Sequence, residues 1–416
     1  MRFTLATAIT ALPVFVTAVP QLAKQGGMAI PLTLSKGSSL VNADKSVNFE
    51  ALNSHVASTT AKISRGFDNF EKNTGAPHPA VKGARQRASG GLPIDSLTAR
   101  PMLWFGTITV GTPPRLYTVE FDTGSGHVFL IRDFFLPGVD NDGTCDGHDL
   151  YDPQSSLTSV DLNKFFVVLF GNSDNAHGQQ YTDNITIAGL EAIDQTLGVA
   201  QHYSPGLQVG RFFPDGLLGM AFQAMSSNDA SPVFQTLVTQ GQTDEPVFAF
   251  NLAGPNPELY IGGTNPDMYI GDFSWTSVVQ HGYWEVMMDN VIGNGQVTLT
   301  NVPCIIDTGS HYIQGTPLDV ANLYGAIGGT RAPNSNAFYT FPCDAIPSVS
   351  FTFGGTSFPI SAAALNLGMN PKNPSMCIGS IVADNHRSWI VGSIFLSSVY
   401  TAFDLANVRV GFATLA

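Results

Sequence analysis

Cationic side chains are what this 416-residue chain has least of. Only 12% of its residues are charged at all, and residues 101–416 hold 8 Lys and Arg against 27 Asp and Glu, a balance of −19. A surface so poor in cations cannot neutralise a row of phosphates, which excludes nucleic acid and anionic membrane as partners. Such a body stays compact and soluble best where many of its carboxylates are protonated, so it reads as built for acid. GxSxG and HExxH are also missing, and with them the serine-hydrolase elbow and the zincin helix. Cys145-Asp146-Gly147-His148 is an isolated Cys/His pair without second-site partners, so no metal or other cofactor is expected. Beyond about residue 20 no apolar run is long enough to span a bilayer, and the C-terminal VRVGFATLA reads as a strand and not as an anchor tail.

What is present is globular: 44% of residues are apolar, and 28 Phe with 42 Gly point to many strands and turns. Arg2, an uncharged stretch to Pro20 and the small residues Val16, Thr17 and Ala18 read as an export signal over residues 1–18. Residues 19–100 then hold 10 Lys and Arg against 5 Asp and Glu, or +5. They include an amphipathic stretch around Phe49 to Phe70 and a run, KGARQRASGGLP, whose Lys82, Arg85 and Arg87 form a candidate processing region. Read as a propeptide, this leader has the charge to lie across an acidic cleft at neutral pH and to let go when carboxylates protonate.

The pattern with most chemistry in it is a repeat. Asp122-Thr123-Gly124-Ser125 and Asp307-Thr308-Gly309-Ser310 lie 185 residues apart, each after an apolar run. Tyr117, Val119 and Phe121 alternate toward the first copy, as a strand entering a turn would. Downstream, Leu217-Leu218-Gly219 follows Asp122 by 97 residues and Ile390-Val391-Gly392 follows Asp307 by 85, so the duplication extends past the tetrapeptides. A strand that ends in Asp and a tight Gly turn, made twice and brought together, would give two carboxyl groups sharing one proton. Helices are few: one is expected from Ser231-Pro232 to Gly241, and one from Thr316-Pro317 bearing Leu318, Ala321 and Tyr324.

From about Trp104 to its end the chain resembles the pepsin-like aspartic proteases, in particular secreted fungal ones. The segments that carry the likeness are WFGTITVGTPPRLYTVEFDTGS, FPDGLLGMAF, GYWEVMMDNV, CIIDTGS and WIVGSIFLSSVYTAFDLANVRVGFA. The resemblance implies a mostly β, bilobal fold: two similar double-psi β-barrel lobes, residues 101–270 and 271–416 behind a propeptide over 19–100, with the active-site cleft between them. It implies an aspartic endopeptidase that acts on protein or peptide substrates at acidic pH, prefers apolar residues around the scissile bond, and works as a monomer inhibited by its own propeptide. It would be secreted, or kept in an acidic vacuole. Asp122 and Asp307 become the catalytic pair; Thr123, Thr308, Ser125 and Ser310 brace and hydrogen-bond it; Gly124 and Gly309 permit the close approach; Gly219 and Gly392 pack as psi-loop glycines. Cys343 and Cys377 occupy the positions of the family's C-terminal disulfide, whereas Cys304 reads as a buried apolar thiol and Cys145 lacks a neighbouring partner. A pepsin-fold binding protein with little or no turnover is the alternative, because a fold does not guarantee an activity.

Departures from the family surround the pair. The flap should carry a Tyr-Gly and has Phe170-Gly171, and Phe129 stands where Trp usually partners that phenol, so one hydrogen bond of about 1 kcal/mol is absent. Gly126-His127 follow the first DTGS, His311 follows the second, and Ser393 replaces an Asp. The two histidines are expected at the surface, although protonated they would favour an ionised pair. Asn184, in Asn184-Ile185-Thr186, is a candidate glycosylation site.

Overall fold

The computed structural model describes residues 27–34, 40–81, 103–131, 145–169, 175–333 and 335–416. Phe170-Gly171, the candidate processing residues Lys82, Arg85 and Arg87, and the export signal lie outside the described residues. The chain is mostly β, with a closed barrel and further sheets. The barrel uses six strands of an eight-stranded sheet, and it closes because Trp104–Val110 pairs on one edge with Arg115–Asp122 and on the other with Asn175–Ile187.

The duplication seen in the sequence recurs in the strand pairing. Arg115–Asp122 runs parallel to Gly216–Gly219, with Asp122 opposite Gly219, and Gly216–Gly219 runs antiparallel to Val128–Ile131. In the second half, Gln296–Ile306 runs parallel to Trp389–Val391, which in turn is antiparallel to Ile313–Gly315. Each DTGS turn therefore leaves the end of a buried strand whose parallel neighbour closes with a glycine. Those glycines have no room for a side chain: a Cβ on Gly219 would lie 2.5 Å from the Ser125 carbonyl, and one on Gly392 would lie 2.5 Å from the carbonyls of Ser310 and Tyr312.

The expected helix after Ser231-Pro232 is Val233–Thr239. The one after Thr316 spans Pro317–Ala326, but it buries Val320, Leu323 and Tyr324 and leaves Leu318 exposed. Leu318 sits in the first turn, beside the Thr316 cap, and is exposed, so the buried face is rotated from the expected one by about a quarter turn, with Tyr324 common to both.

The leader contributes structure of its own. Met28–Pro31 adds an edge strand beside Glu258–Ile261, in a run of six strands that continues through Val247–Asn251, Tyr400–Asp404 and Arg409–Leu415 to Tyr269–Gln280. Phe49–Thr74 then forms a 26-residue helix. Asn48 caps its start by accepting hydrogen bonds from the Glu50 and Ala51 amides, and Gly75, in the left-handed region at φ 75°, ends it. Leu52, Val56, Thr59, Ile63, Gly66 and Phe70 recur at helical spacing and are buried against the body. Gly66 is required there, because a Cβ would collide with the Tyr283 phenol, which donates to the Ile63 carbonyl at 3.0 Å.

Candidate active site

The two DTGS turns meet. The Thr123 amide donates to the Thr308 hydroxyl at 3.0 Å, and the Thr308 amide donates to the Thr123 hydroxyl at 3.0 Å. Each hydroxyl passes its own proton to the carbonyl ahead of the opposite Asp: Thr123 to Ile306 at 2.9 Å, Thr308 to Phe121 at 2.8 Å. Four reciprocal bonds between buried groups hold the turns in one relative position, since breaking any of them leaves a polar atom unpaired away from water.

Asp122 and Asp307 are 1% and 0% exposed. Gly124 and Gly309 donate their amides to Asp122 Oδ1 and Asp307 Oδ1 at 2.8 and 3.0 Å, while the hydroxyls of Ser125 and Ser310 donate to the Oδ2 atoms. Both turns need glycine for proximity, because a Cβ on Gly124 would meet Asp307 Oδ1 at 2.5 Å and a Cβ on Gly309 would collide with Asp122. The carboxyl groups do not titrate alike. Burial pushes Asp122 up, but Lys62 and the Ser125 hydroxyl more than offset it and leave its pKa below the ordinary value. Burial prevails at Asp307, helped by the charge of Asp122 and opposed by Lys62, and holds it up to about 6. The two carboxyl groups titrate as a pair, and the hydrogen bond that Asp307 shares with Asp122 favours the ionised form of Asp122.

Lys62 of the leader helix is the residue that sequence reasoning missed. Its ammonium lies 3.1 Å from Asp122 and 2.9 Å from Asp307, closing the space between them. The sequence does carry a signal, because Lys62 is a cation on the buried face of the amphipathic stretch, between Thr59 and Gly66. Polar contacts fasten the helix at both ends of the cleft. Thr60 donates to Asp384 at 2.9 Å, and Asn73 donates to the Ser226 carbonyl at 2.8 Å. Glu120 was missed too. Two residues before Asp122 on the same strand face, it is a third buried carboxyl, raised well above the ordinary value by burial and by Asp122.

Both histidines differ from expectation, since neither is a surface residue. His127 has both ring nitrogens shielded from solvent and without a hydrogen-bond partner, its ring stacked on Phe129 at 6.1 Å. His311 Nδ1 lies 3.0 Å from the Ser393 hydroxyl, so the residue after the second turn is tied to the residue after Gly392. Leader residues lie near both rings, Lys62 and Arg65 at His127 and His55 at His311. Burial pushes both imidazoles down, His127 to about 4 and His311 to about 3. Phe129 is fully buried and packs edge-on to Tyr203.

Away from the cleft, Cys343 and Cys377 form a disulfide, while Cys145 and Cys304 are buried and form none among the described residues. Asn184 is half-buried in a barrel strand, and its amide donates to Glu191 at 3.1 Å.

The sequence model of the eukaryotic aspartyl proteases matches residues 103–415. An aspartic protease of Phaffia rhodozyma is 35% identical over 321 residues, covering 75% of this chain and 76% of the relative. Cathepsin D of Gallus gallus is 33% identical over 328 residues, or 74% and 80% of the two chains. Embryonic pepsinogen of Gallus gallus is 29% identical over 329 residues, or 76% and 82%.

Proposed function

The chain belongs to the eukaryotic aspartyl protease family and is an aspartic-type endopeptidase; from that premise we propose that Asp122 and Asp307 are its catalytic pair, working in acid and held inactive here by the leader. The observation that carries this reading is the joining of the two turns into one buried pair of carboxyl groups with a lysine between them. Like charges so close cannot both ionise, and aspartic proteases are themselves the standing illustration of the effect. With Lys62 withdrawn, a water molecule takes its place. The ionised carboxylate accepts a proton from that water as its oxygen attacks the peptide carbon, and the neutral carboxyl hydrogen-bonds the carbonyl oxygen. Collapse of the tetrahedral adduct with proton transfer to nitrogen breaks the C–N bond and restores the pair to one shared proton.

The family acts on peptides, and one relative is named as a pepsinogen. In our reading Lys62 occupies the site of the attacking water and the helix occupies the cleft. Substrate side chains flanking the scissile bond are apolar in this reading, a preference supported by the apolar strands Arg115–Asp122 and Gln296–Ile306 that lead into the site. The two lobes divide at about residue 270, where the chain leaves the Val247–Asn251 and Glu258–Ile261 pair for the long strand Tyr269–Gln280. Release to the medium or to an acidic vacuole suits the family, and no helix among the described residues is long and apolar enough to cross a membrane.

The test is to incubate purified full-length chain with an unfolded protein at acidic pH, with and without a statine-type inhibitor. Cleavage and loss of the leader, both blocked by the inhibitor, are expected. Intact substrate across the whole acidic range would refute the proposal and leave a binding protein.

A further inference from the structure

Between the leader helix and the first lobe lies a cavity of about 210 Å³. Its roof is the helix, through Lys62, Arg65 and Asp68; its wall is Val168, Leu217 and Met225; at its inner side are Ser125 and His127. Two of its lining residues hold buried nitrogens without partners, Nη2 of Arg65 and both ring nitrogens of His127. Buried polar nitrogens without partners are costly, and a residue that only packs would have one satisfied. The roof belongs to the part of the chain that leaves on activation, so the imidazole is unpartnered only while its proper partner is kept out.

Taking the proteolytic reading above as its basis, we propose that His127 is a specificity-determining residue of the cleft. Once the leader departs, its imidazole stands at the end of an apolar pocket beside Ser125 and receives a substrate side chain with an apolar stem and an anionic tip. The charged groups that face it are Asp122, on its own turn, and Lys62, Arg65 and Asp68 on the leader helix; Val168, Leu217 and Met225 carry none. Asp122 favours the imidazolium, whereas burial, Arg65 and Lys62 oppose it. Departure of the helix removes both opposing cations and part of the burial. The imidazole then titrates between its covered value of about 4 and the ordinary one, so its positive charge is present in acid and fades as pH rises.

The experiment uses mature enzyme obtained by acid processing of the full chain. A peptide series carries norleucine at every position around the scissile bond, with one homocysteic acid, whose sulfonate stays charged throughout, walked through the positions in turn. At one position the sulfonate should raise kcat/KM about tenfold over norleucine at about pH 3, and the advantage should fall as pH rises toward the ordinary imidazole value. His127→Asn should abolish that advantage at that position alone, although it keeps the change in charge of the catalytic pair with pH. His127→Arg should retain it and make it independent of pH. The all-norleucine peptide separates the two proposals: if wild type leaves it uncut, the proteolytic reading fails, whereas cutting with no sulfonate-preferring position, or with a preference that survives in His127→Asn, overturns the role of His127.

Discussion

Replacing Lys62 with Met should move the pH at which the cleft opens, and the size of the move follows from the geometry. The ammonium lies about 3 Å from both carboxyl groups, with its own side chain 19% exposed and theirs 1% and 0%. With one net charge on the pair, a contact at that distance is worth about 5 kcal/mol at an effective dielectric constant of ~20. Desolvation of the ammonium takes back several, and removal of one partner from a buried pair typically costs about 3 to 5 kcal/mol. Taking about 3 kcal/mol, and about 1.36 kcal/mol per pH unit for one linked proton, the opening midpoint shifts by about two units. Its sign follows from Asp122, whose pKa is depressed in the covered state: the stabilisation it lends is present above the ordinary carboxylate value and is lost as pH falls through the depressed one. Without Lys62 that depression goes, so opening occurs at higher pH. The helix should stay docked at neutral pH through Leu52, Val56, Ile63 and Phe70. A fluorescent statine-type probe, which binds only an open cleft, gives the midpoint for wild-type and Lys62→Met precursor before any cleavage. A midpoint within about 0.3 unit of wild type would refute the assignment of Lys62 as the group that ties the leader's release to acid.

Four further outcomes are expected. Asp122→Asn and Asp307→Asn should each lower kcat by at least about 10² to 10⁴-fold with the circular dichroism spectrum unchanged, and near-normal turnover in either would remove that residue from the mechanism. Gly219→Ala should lower stability by about 1 to 3 kcal/mol in urea denaturation, because its Cβ would press on the Ser125 carbonyl at 2.5 Å; a neutral result would mean the turn can shift. Cys343→Ser with Cys377→Ser opens a loop with a sequence separation of 34 and should cost about 3 to 4 kcal/mol in the same measurement, against which an unchanged midpoint would count. Asn184 should carry glycan in protein secreted by a eukaryotic host, seen as a mass loss on glycosidase treatment; an unchanged mass would mean that its bond to Glu191 keeps the amide occupied.

The residues whose roles could be read from the linear chain are those whose chemistry is local. Tyr117, Val119 and Phe121 announce a strand, and the Gly after Asp-Thr announces a turn in which a carboxylate takes a backbone amide two residues on, as both copies do. Repetition of the tetrapeptide and of its downstream glycine then implies two halves of like topology, and the parallel pairings of Asp122 with Gly219 and of Ile306 with Val391 have that form. Helical spacing from Leu52 to Phe70 likewise marks a helix with one face to bury.

Contacts between distant segments could not be read this way, because no local rule says which face meets which. The reciprocal Thr123–Thr308 bonds span 185 residues, and the link from Lys62 to Asp307 spans 245. His127 and His311 looked like surface residues because the leader residues near them lie far away in the chain. The inequality of Asp122 and Asp307 is the sharpest case. Two identical tetrapeptides carry no information that would separate their pKa values, and the difference arises only when folding sets Lys62 and burial at unequal advantage around two carboxyl groups that each accept from their own serine.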